Sequence, residues 1–234
     1  METKQVVLIT GGAKRLGLAM AQHLLGEGYR VVIHCNTSCG EAKALGDDCR
    51  TVQANLTNRE ELQALFLKAV ACFGQVDHLI NNASVFPSAS IDQTTFELWD
   101  EVMAIHNTAP FFLSKSLYLH LVERGTTGSV INMVDSKIEA PTASRSAYYI
   151  SKGALLAQTK TLAVSLAPTL RVNAISPGAV LSNGDDTYFA KMAERLPLKH
   201  TGSAPDIVQA VAYLLHADFV TGTELPVDGG QRLL

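Results

Sequence analysis

Short β-branched runs alternate along the chain with longer stretches whose apolar residues recur at helical spacing. Val6–Thr10, Arg30–His34, Thr51–Ala54, His78–Asn81, Ser129–Val134 and Arg171–Ile175 are largely apolar, as strands buried on both faces are, and Glu224–Val227 reads as a last strand. Between them, Arg15–Gly28, Arg59–Phe73, Phe96–Arg124 and Ala147–Ala167 carry the helical pattern, and Pro205–His216 adds a late helix. Strand alternating with helix predicts an α/β fold: a doubly wound parallel sheet with helices on both faces. Residues 178–202 depart from this pattern. They are polar, contain Asn183-Gly184-Asp185-Asp186 and end in a short helical pattern over Tyr188–Arg195. A long connection of this kind reads as an active-site lid. Without an internal repeat or linker, residues 1–234 read as a single domain.

Composition narrows the function classes. The chain has 234 residues, 47% of them hydrophobic, enough for one substantial core. Its formal net charge of −3 offers no basic excess for nucleic acid or an anionic membrane surface. No run approaches the roughly 20 apolar residues of a membrane-spanning helix, and Met1–Gln5 do not open a signal peptide. The expectation is a cytoplasmic protein whose partners are small molecules and copies of itself. Cys35, Cys39, Cys49 and Cys72 show no C-x-x-C spacing, so the reading is reduced thiols and no metal site.

Candidate chemistry begins where the first strand meets the first helix, at Thr10-Gly11-Gly12-Ala13-Lys14-Arg15-Leu16-Gly17. Glycines there permit a tight turn, and the helix start turns its backbone N–H groups and positive dipole end toward an anion such as a pyrophosphate. The second strand runs into Ile33-His34-Cys35-Asn36-Thr37-Ser38 with no acid before Glu41. A carboxylate at that place would bind ribose hydroxyls and repel a 2′-phosphate; its absence favours NADPH over NADH. Lys14 and Arg15 can supply charge to the phosphate, and His34 and Ser38 hydrogen bonds. Further on, Tyr148 and Lys152 stand four apart at a helix start. They share a helix face, which predicts an ammonium that lowers the phenol's pKa. Tyr149 has Gly153 in the matching place and is a weaker candidate.

These motifs resemble the short-chain dehydrogenase/reductase family over essentially the whole chain. The turn resembles its T-G-x-x-x-G-x-G motif; Tyr148 and Lys152 its Y-x-x-x-K; and Arg171–Gly178 its R-V-N-x-x-x-P-G segment, with Val227-Asp228-Gly229-Gly230 near the end. The departures point to one branch. Arg15 replaces the middle glycine, and Asp135 stands 13 residues before Tyr148, where the wider family has serine. Both features are similar to pteridine reductases, and the resemblance implies a Rossmann-like fold that reduces a dihydropterin or dihydrofolate with NADPH.

Residue by residue, the resemblance implies cofactor contacts at Gly11, Lys14, Arg15, Leu16, His34, Ser38, Asn55, Leu56, Asn82, Ala83, Ser84, Tyr148, Lys152, Pro177 and Gly178. Thr37 occupies the place of a family arginine, leaving one cation fewer, and Asn82 reads equally well as a sheet tie. The implied substrate contacts are Arg15, Ser84, Phe86, Asp135 and Tyr148, with Phe86 stacked on the pterin opposite the nicotinamide. A carboxyl at Asp135 can give a proton to a ring nitrogen, where serine would polarise a carbonyl; the plainer reading is a capping or salt-bridged aspartate. Ser136, one residue on, should face the other way. His106, beside Asn107, aligns with the family's helix asparagine and reads either as a proton relay that could itself titrate or as a satisfied buried histidine. Bacterial dihydromonapterin reductases resemble the chain in that histidine, and the family's habit implies a homotetramer built on the fourth and fifth helices. Two rivals stand: a carbonyl reductase of the 3-oxoacyl type, and a non-catalytic NADPH-binding regulatory module.

Overall fold

A computed structural model describes residues 4–37, 39–180 and 186–234, apart from the side chains of Glu41, Asp186 and Tyr188. Seven strands form one parallel sheet: β1 (Val6–Ile9), β2 (Arg30–Cys35), β3 (Cys49–Gln53), β4 (His78–Asn81), β5 (Gly128–Met133), β6 (Leu170–Pro177) and β7 (Glu224–Val227). Their order is β3-β2-β1-β4-β5-β6-β7, so the winding reverses between β1 and β4 and opens a crevice at their carboxyl ends. Among the described residues seven α-helices accompany them: α1 (Arg15–Gly26), α2 (Arg59–Phe73), α3 (Phe96–Met103), α4 (Ala109–Arg124), α5 (Ser146–Ser165), α6 (Asp186–Arg195) and α7 (Ala204–His216).

The two-residue period of β1 divides the core. Val7 and Ile9 pack with Val31, Ile33, Ile80 and Ile131 under α1 and α7. Val6 and Leu8 face the other way, with Val32, Leu79 and Val130, under α2, α4 and α5. The turn at the reversal point is anchored from below. Asp77, 4% exposed, accepts from Val6 N (2.8 Å) and from Arg124 Nη1 (2.8 Å), which fixes the amino end of β4 beside β1. Among the described residues no helix is long and apolar enough to cross a membrane.

Three expectations are corrected. The pattern Phe96–Arg124 is not one helix: Ala104–Thr108 form a π turn between α3 and α4, with His106 facing inward at its middle. Such turns rotate the chain by one extra residue and recur at functional sites. Second, Cys35 and Cys39 are joined as a disulfide, against the reading of four reduced thiols; Cys49 and Cys72 are free. Third, β3 begins two residues before the pattern suggested, because Cys49 already pairs with Val31. In the 178–202 segment α6 is present, while Ser182–Asp185 of the expected lid lie outside the described residues.

Candidate active site

Two cavities open at the crevice and share Arg15, Leu16, Asn82 and Ser84. The first, about 390 Å³, runs over the glycine turn past Lys14, His34 and Asn36 to Asn55 and Leu56, with Ala83 on its inner wall; among the described residues no carboxylate lines it. The second, about 600 Å³, is bounded by Phe86, Asp135, Tyr148, Lys152, Pro177 and Gly178. Every expected contact residue within the described residues therefore lines one of the two cavities, except His106; Ser38 lies outside the described residues.

The turn is held by short polar bonds. Thr10 Oγ1 accepts from Asn82 N (3.0 Å) and Ala83 N (3.0 Å), and Asn82 Nδ2 donates to Thr10 O and Gly11 O (both 3.0 Å). Asn82 is thus a tie of the turn as well as part of the cavity wall. A Cβ on Gly17 would lie 2.5 Å from Gly11 O, so only glycine lets the helix sit this close. Arg15 starts α1 at φ 49°, the left-handed region that a glycine would occupy freely. A strained backbone of order 1–3 kcal/mol is maintained there, and the residue it retains is a cation at the junction of both cavities. These features fit a dinucleotide: a close-approach glycine cradle, a helix start, two cations for phosphates, and no carboxylate among the described lining residues.

His34 departs from expectation. It is 2% exposed; its Nδ1 accepts from Gly11 N (3.2 Å), so Nε2 is the protonated nitrogen and donates to Ala54 O (2.9 Å). Burial lowers its pKa against the opposing effect of that bond. Both nitrogens are spent on the backbone, so His34 shapes the cavity as a neutral strut and does not serve a phosphate as a donor.

The second cavity is organised around one bond. Tyr148 Oη donates to Asp135 Oδ2 at 2.8 Å, while Asp135 Oδ1 accepts from Lys137 N at 2.8 Å and caps the short 3-10 turn Ser136–Ile138. The capping reading of Asp135 holds for one oxygen, which fixes the rotamer, while the other meets the phenol. Helix α5 is itself registered on the sheet, since Asn81 Nδ2 donates to Asn132 Oδ1 (2.8 Å) and Asn132 Nδ2 to Thr159 Oγ1 (2.9 Å).

The phenol's pKa moves opposite to the expectation. Burial raises it, and the negative charge and hydrogen bond of Asp135 raise it further, so Tyr148 holds its proton and points it at the carboxylate. Lys152 is buried and donates to Met133 O at 2.7 Å; its ammonium lies 5.8 Å from the Tyr148 ring centroid. Burial pushes its own pKa down to about 8, with Asp135 opposing.

His106 lies behind this wall, 1% exposed. Its Nε2 accepts from Val85 N (3.2 Å) and Ser84 Oγ (2.9 Å), which leaves the proton on Nδ1, donated to Ser151 Oγ (2.8 Å). Ser151 Oγ donates in turn to Tyr148 O (2.7 Å). Burial first and the Lys152 charge second push the His106 pKa down to about 2. Of the two readings of His106, this geometry favours the satisfied buried histidine: its ring bonds tie the Ser84–Val85 loop to α5.

Sequence reasoning missed two residues. Arg145 lies over the Phe86 ring, 3.9 Å from guanidinium carbon to centroid, and Phe86 meets Tyr148 edge-on at 4.6 Å. Neither the glycine pattern nor the Y-x-x-x-K spacing reports a contact 59 residues away. Ser136, set aside for facing the wrong way, lies in the cavity wall, 1% exposed, with no hydrogen-bond partner for Oγ among the described residues. A buried hydroxyl left without a partner is a place where a ligand gains by supplying one. Among the described residues no cluster of His, Cys, Asp and Glu could hold a metal ion.

A seven-stranded doubly wound sheet with this cradle and a tyrosine–lysine pair on α5 defines a nucleotide-dependent oxidoreductase, and the chain belongs to the short-chain dehydrogenase/reductase family. Residues 11–232 match the family model described as enoyl-(acyl carrier protein) reductase. A granaticin polyketide synthase putative ketoacyl reductase 2 of Streptomyces violaceoruber is 35% identical over 98% of this chain and 96% of the relative. A 3beta-hydroxysteroid dehydrogenase 1 of Eggerthella lenta is 32% identical over 98% and 94%. Among solved structures, the alternative dihydrofolate reductase 1, FolM, of Brucella canis, complexed with NADP, superposes with a TM-score of 0.91 at 33% identity, covering 98% of this chain and 95% of that one. Its Brucella suis counterpart, also with NADP, gives 0.90 at 33% identity, with 98% and 96% covered.

The strain at Arg15 yields a prediction. Arg15→Gly removes the left-handed penalty while adding unfolded-state entropy, so stability should stay within about 1 kcal/mol of the parent or rise. Nucleotide affinity should fall by roughly tenfold, the scale of one charge-assisted hydrogen bond. Thermal melts and a nucleotide titration check this; a destabilised variant with unchanged affinity would contradict it.

Proposed function

We propose that the protein is an NADPH-dependent reductase of a dihydropterin or dihydrofolate, and the observation that carries the reading is the Tyr148–Asp135 bond. Asp135 stands where the wider family has serine. A carboxyl group can hand a proton to a ring nitrogen, which a serine hydroxyl does poorly. The likeness to NADP-bound dihydrofolate reductases supports this reading. The sequence relatives support a rival, a ketoacyl-type carbonyl reductase, and Asp135 weighs against it.

In this reading Lys14 and Arg15 with the start of α1 would hold the phosphates, Asn55 and Leu56 the adenine side, and Lys152 with Pro177 and Gly178 the nicotinamide half. NADPH, when bound, supplies hydride. The remaining work falls to the chain. Phe86 and Arg15 frame a flat heteroaromatic ring. The Tyr148 hydroxyl, already aimed at Oδ2, gives its proton to the Asp135 carboxylate, Asp135 passes that proton to a ring nitrogen, and the phenolate left behind regains a proton from solvent. Lys152 opposes the charge that then develops on the phenol. The same α4 and α5 surfaces that carry exposed Phe111, Phe112, Ile150 and Val164 are where a homotetramer would form.

The direct test is turnover by the purified protein with NADPH. A 7,8-dihydropterin should be reduced and a 3-oxoacyl thioester barely; the reverse order would establish the rival, and cofactor binding without turnover of either would favour a regulatory module.

Two further outcomes follow. NADPH should bind more tightly than NADH, and Asn36→Asp, which places a carboxylate in the first cavity, should weaken NADPH by roughly tenfold or more through repulsion of the 2′-phosphate while sparing NADH. Fluorescence titration of both nucleotides reads this, and equal losses would contradict it. Lys152 loses its proton as pH rises through about 8, so kcat/KM should fall on the alkaline side with an apparent pKa near that value. An ordinary lysine would hold its charge to about pH 10, and a pH–rate profile flat that far would contradict the role given to its ammonium.

A further inference from the structure

We propose that Arg145 and Lys137 form an anion subsite on the outer wall of the second cavity, and that it selects a pterin whose side chain carries carboxylates over one whose side chain is uncharged. The inference rests on the pterin reading of that cavity.

Arg145 precedes Tyr148 by three residues and lines the cavity. Its Nη1 donates to Phe86 O (3.2 Å) and Pro87 O (2.9 Å), and its plane covers the Phe86 ring. A backbone bridge between Ala89 and Arg145 ties the same loop to the start of α5. The guanidinium is therefore fixed before any ligand arrives, and little rotamer entropy remains to be lost on binding. Only Nη1 is spent. Nε and Nη2 have no hydrogen-bond partner among the described residues, and together they form the edge that pairs with a carboxylate.

Lys137 lines the same cavity, and no carboxylate lies within ion-pair distance of its ammonium among the described residues. Among the described residues Asp135 is the one acid in the cavity wall, and both its oxygens are already engaged, by Tyr148 and by Lys137 N. Two like charges facing one cavity, with no free counter-charge among the described residues, are complementary to an anion. A ring held against Phe86 would lie beside the guanidinium that covers that same phenylalanine.

The experiment compares two substrates that share the pterin ring, dihydrofolate with its carboxylate tail and 7,8-dihydrobiopterin with an uncharged one. The readout is the ratio of their kcat/KM values. The parent should prefer dihydrofolate, and the preference should shrink as salt rises. Arg145→Gln should lower the ratio about tenfold, the scale of a charge-assisted hydrogen bond, and Lys137→Gln about threefold, the scale of an exposed ion pair. A purely structural role for Arg145 in propping Phe86 would slow both substrates together and leave the ratio unchanged; that result overturns the subsite while leaving the pterin reading intact. A parent that reduces neither pterin overturns the pterin reading, and the subsite with it.

Discussion

A single hydrogen bond, from the Tyr148 hydroxyl to the Asp135 carboxylate, sets the character of this active site. Its 2.8 Å length depends on two elements meeting in register: the end of β5, where Asp135 caps a short turn, and the start of α5, which presents Tyr148. The Asn81–Asn132–Thr159 chain ties that helix to the central strands. Burial first, then the charge and hydrogen bond of Asp135, raise the phenol's pKa, so Tyr148 keeps its proton and directs it at the carboxylate. That differs from an arrangement in which a lysine readies a tyrosine to act alone.

The surrounding residues keep this pair in place without competing for its proton. His106 and His34 are both buried, both neutral and both fully bonded. One clamps the loop that carries Phe86, and the other braces the phosphate turn. Lys152 is the one buried cation beside the pair, and burial brings its titration near pH 8. The π turn serves the same end: its extra residue carries His106 inward to reach Ser84, Val85 and Ser151 from one position.

Much of this was legible in the sequence because it is local. Strand and helix periods are written in consecutive residues, and the sheet with helices on both faces followed from them. The glycine turn, the Tyr148–Lys152 spacing and the count back to Asp135 are likewise short-range. What escaped depends on contacts between distant segments. Nothing near Arg145 announces Phe86, and nothing near His34 announces that Gly11 and Ala54 will take both its nitrogens. The direction of the Tyr148 shift also escaped, since the helix spacing that places Lys152 does not reveal that the carboxylate lies nearer. The Cys35–Cys39 pairing had no C-x-x-C signal to announce it.

In the proposed mechanism Asp135 carries to the ring the proton that Tyr148 supplies, and one mutant series reads this step. Asp135→Asn keeps the shape and removes the transferable proton. With NADPH and a dihydropterin, kcat should fall by about 10² or more, with NADPH affinity nearly unchanged. Tyr148→Phe should also be slow, and the double variant should be less damaged than the product of the two singles, because the pair acts as a unit. Near-parental turnover in a folded Asp135→Asn protein would contradict the account and return the carbonyl-reductase reading to first place.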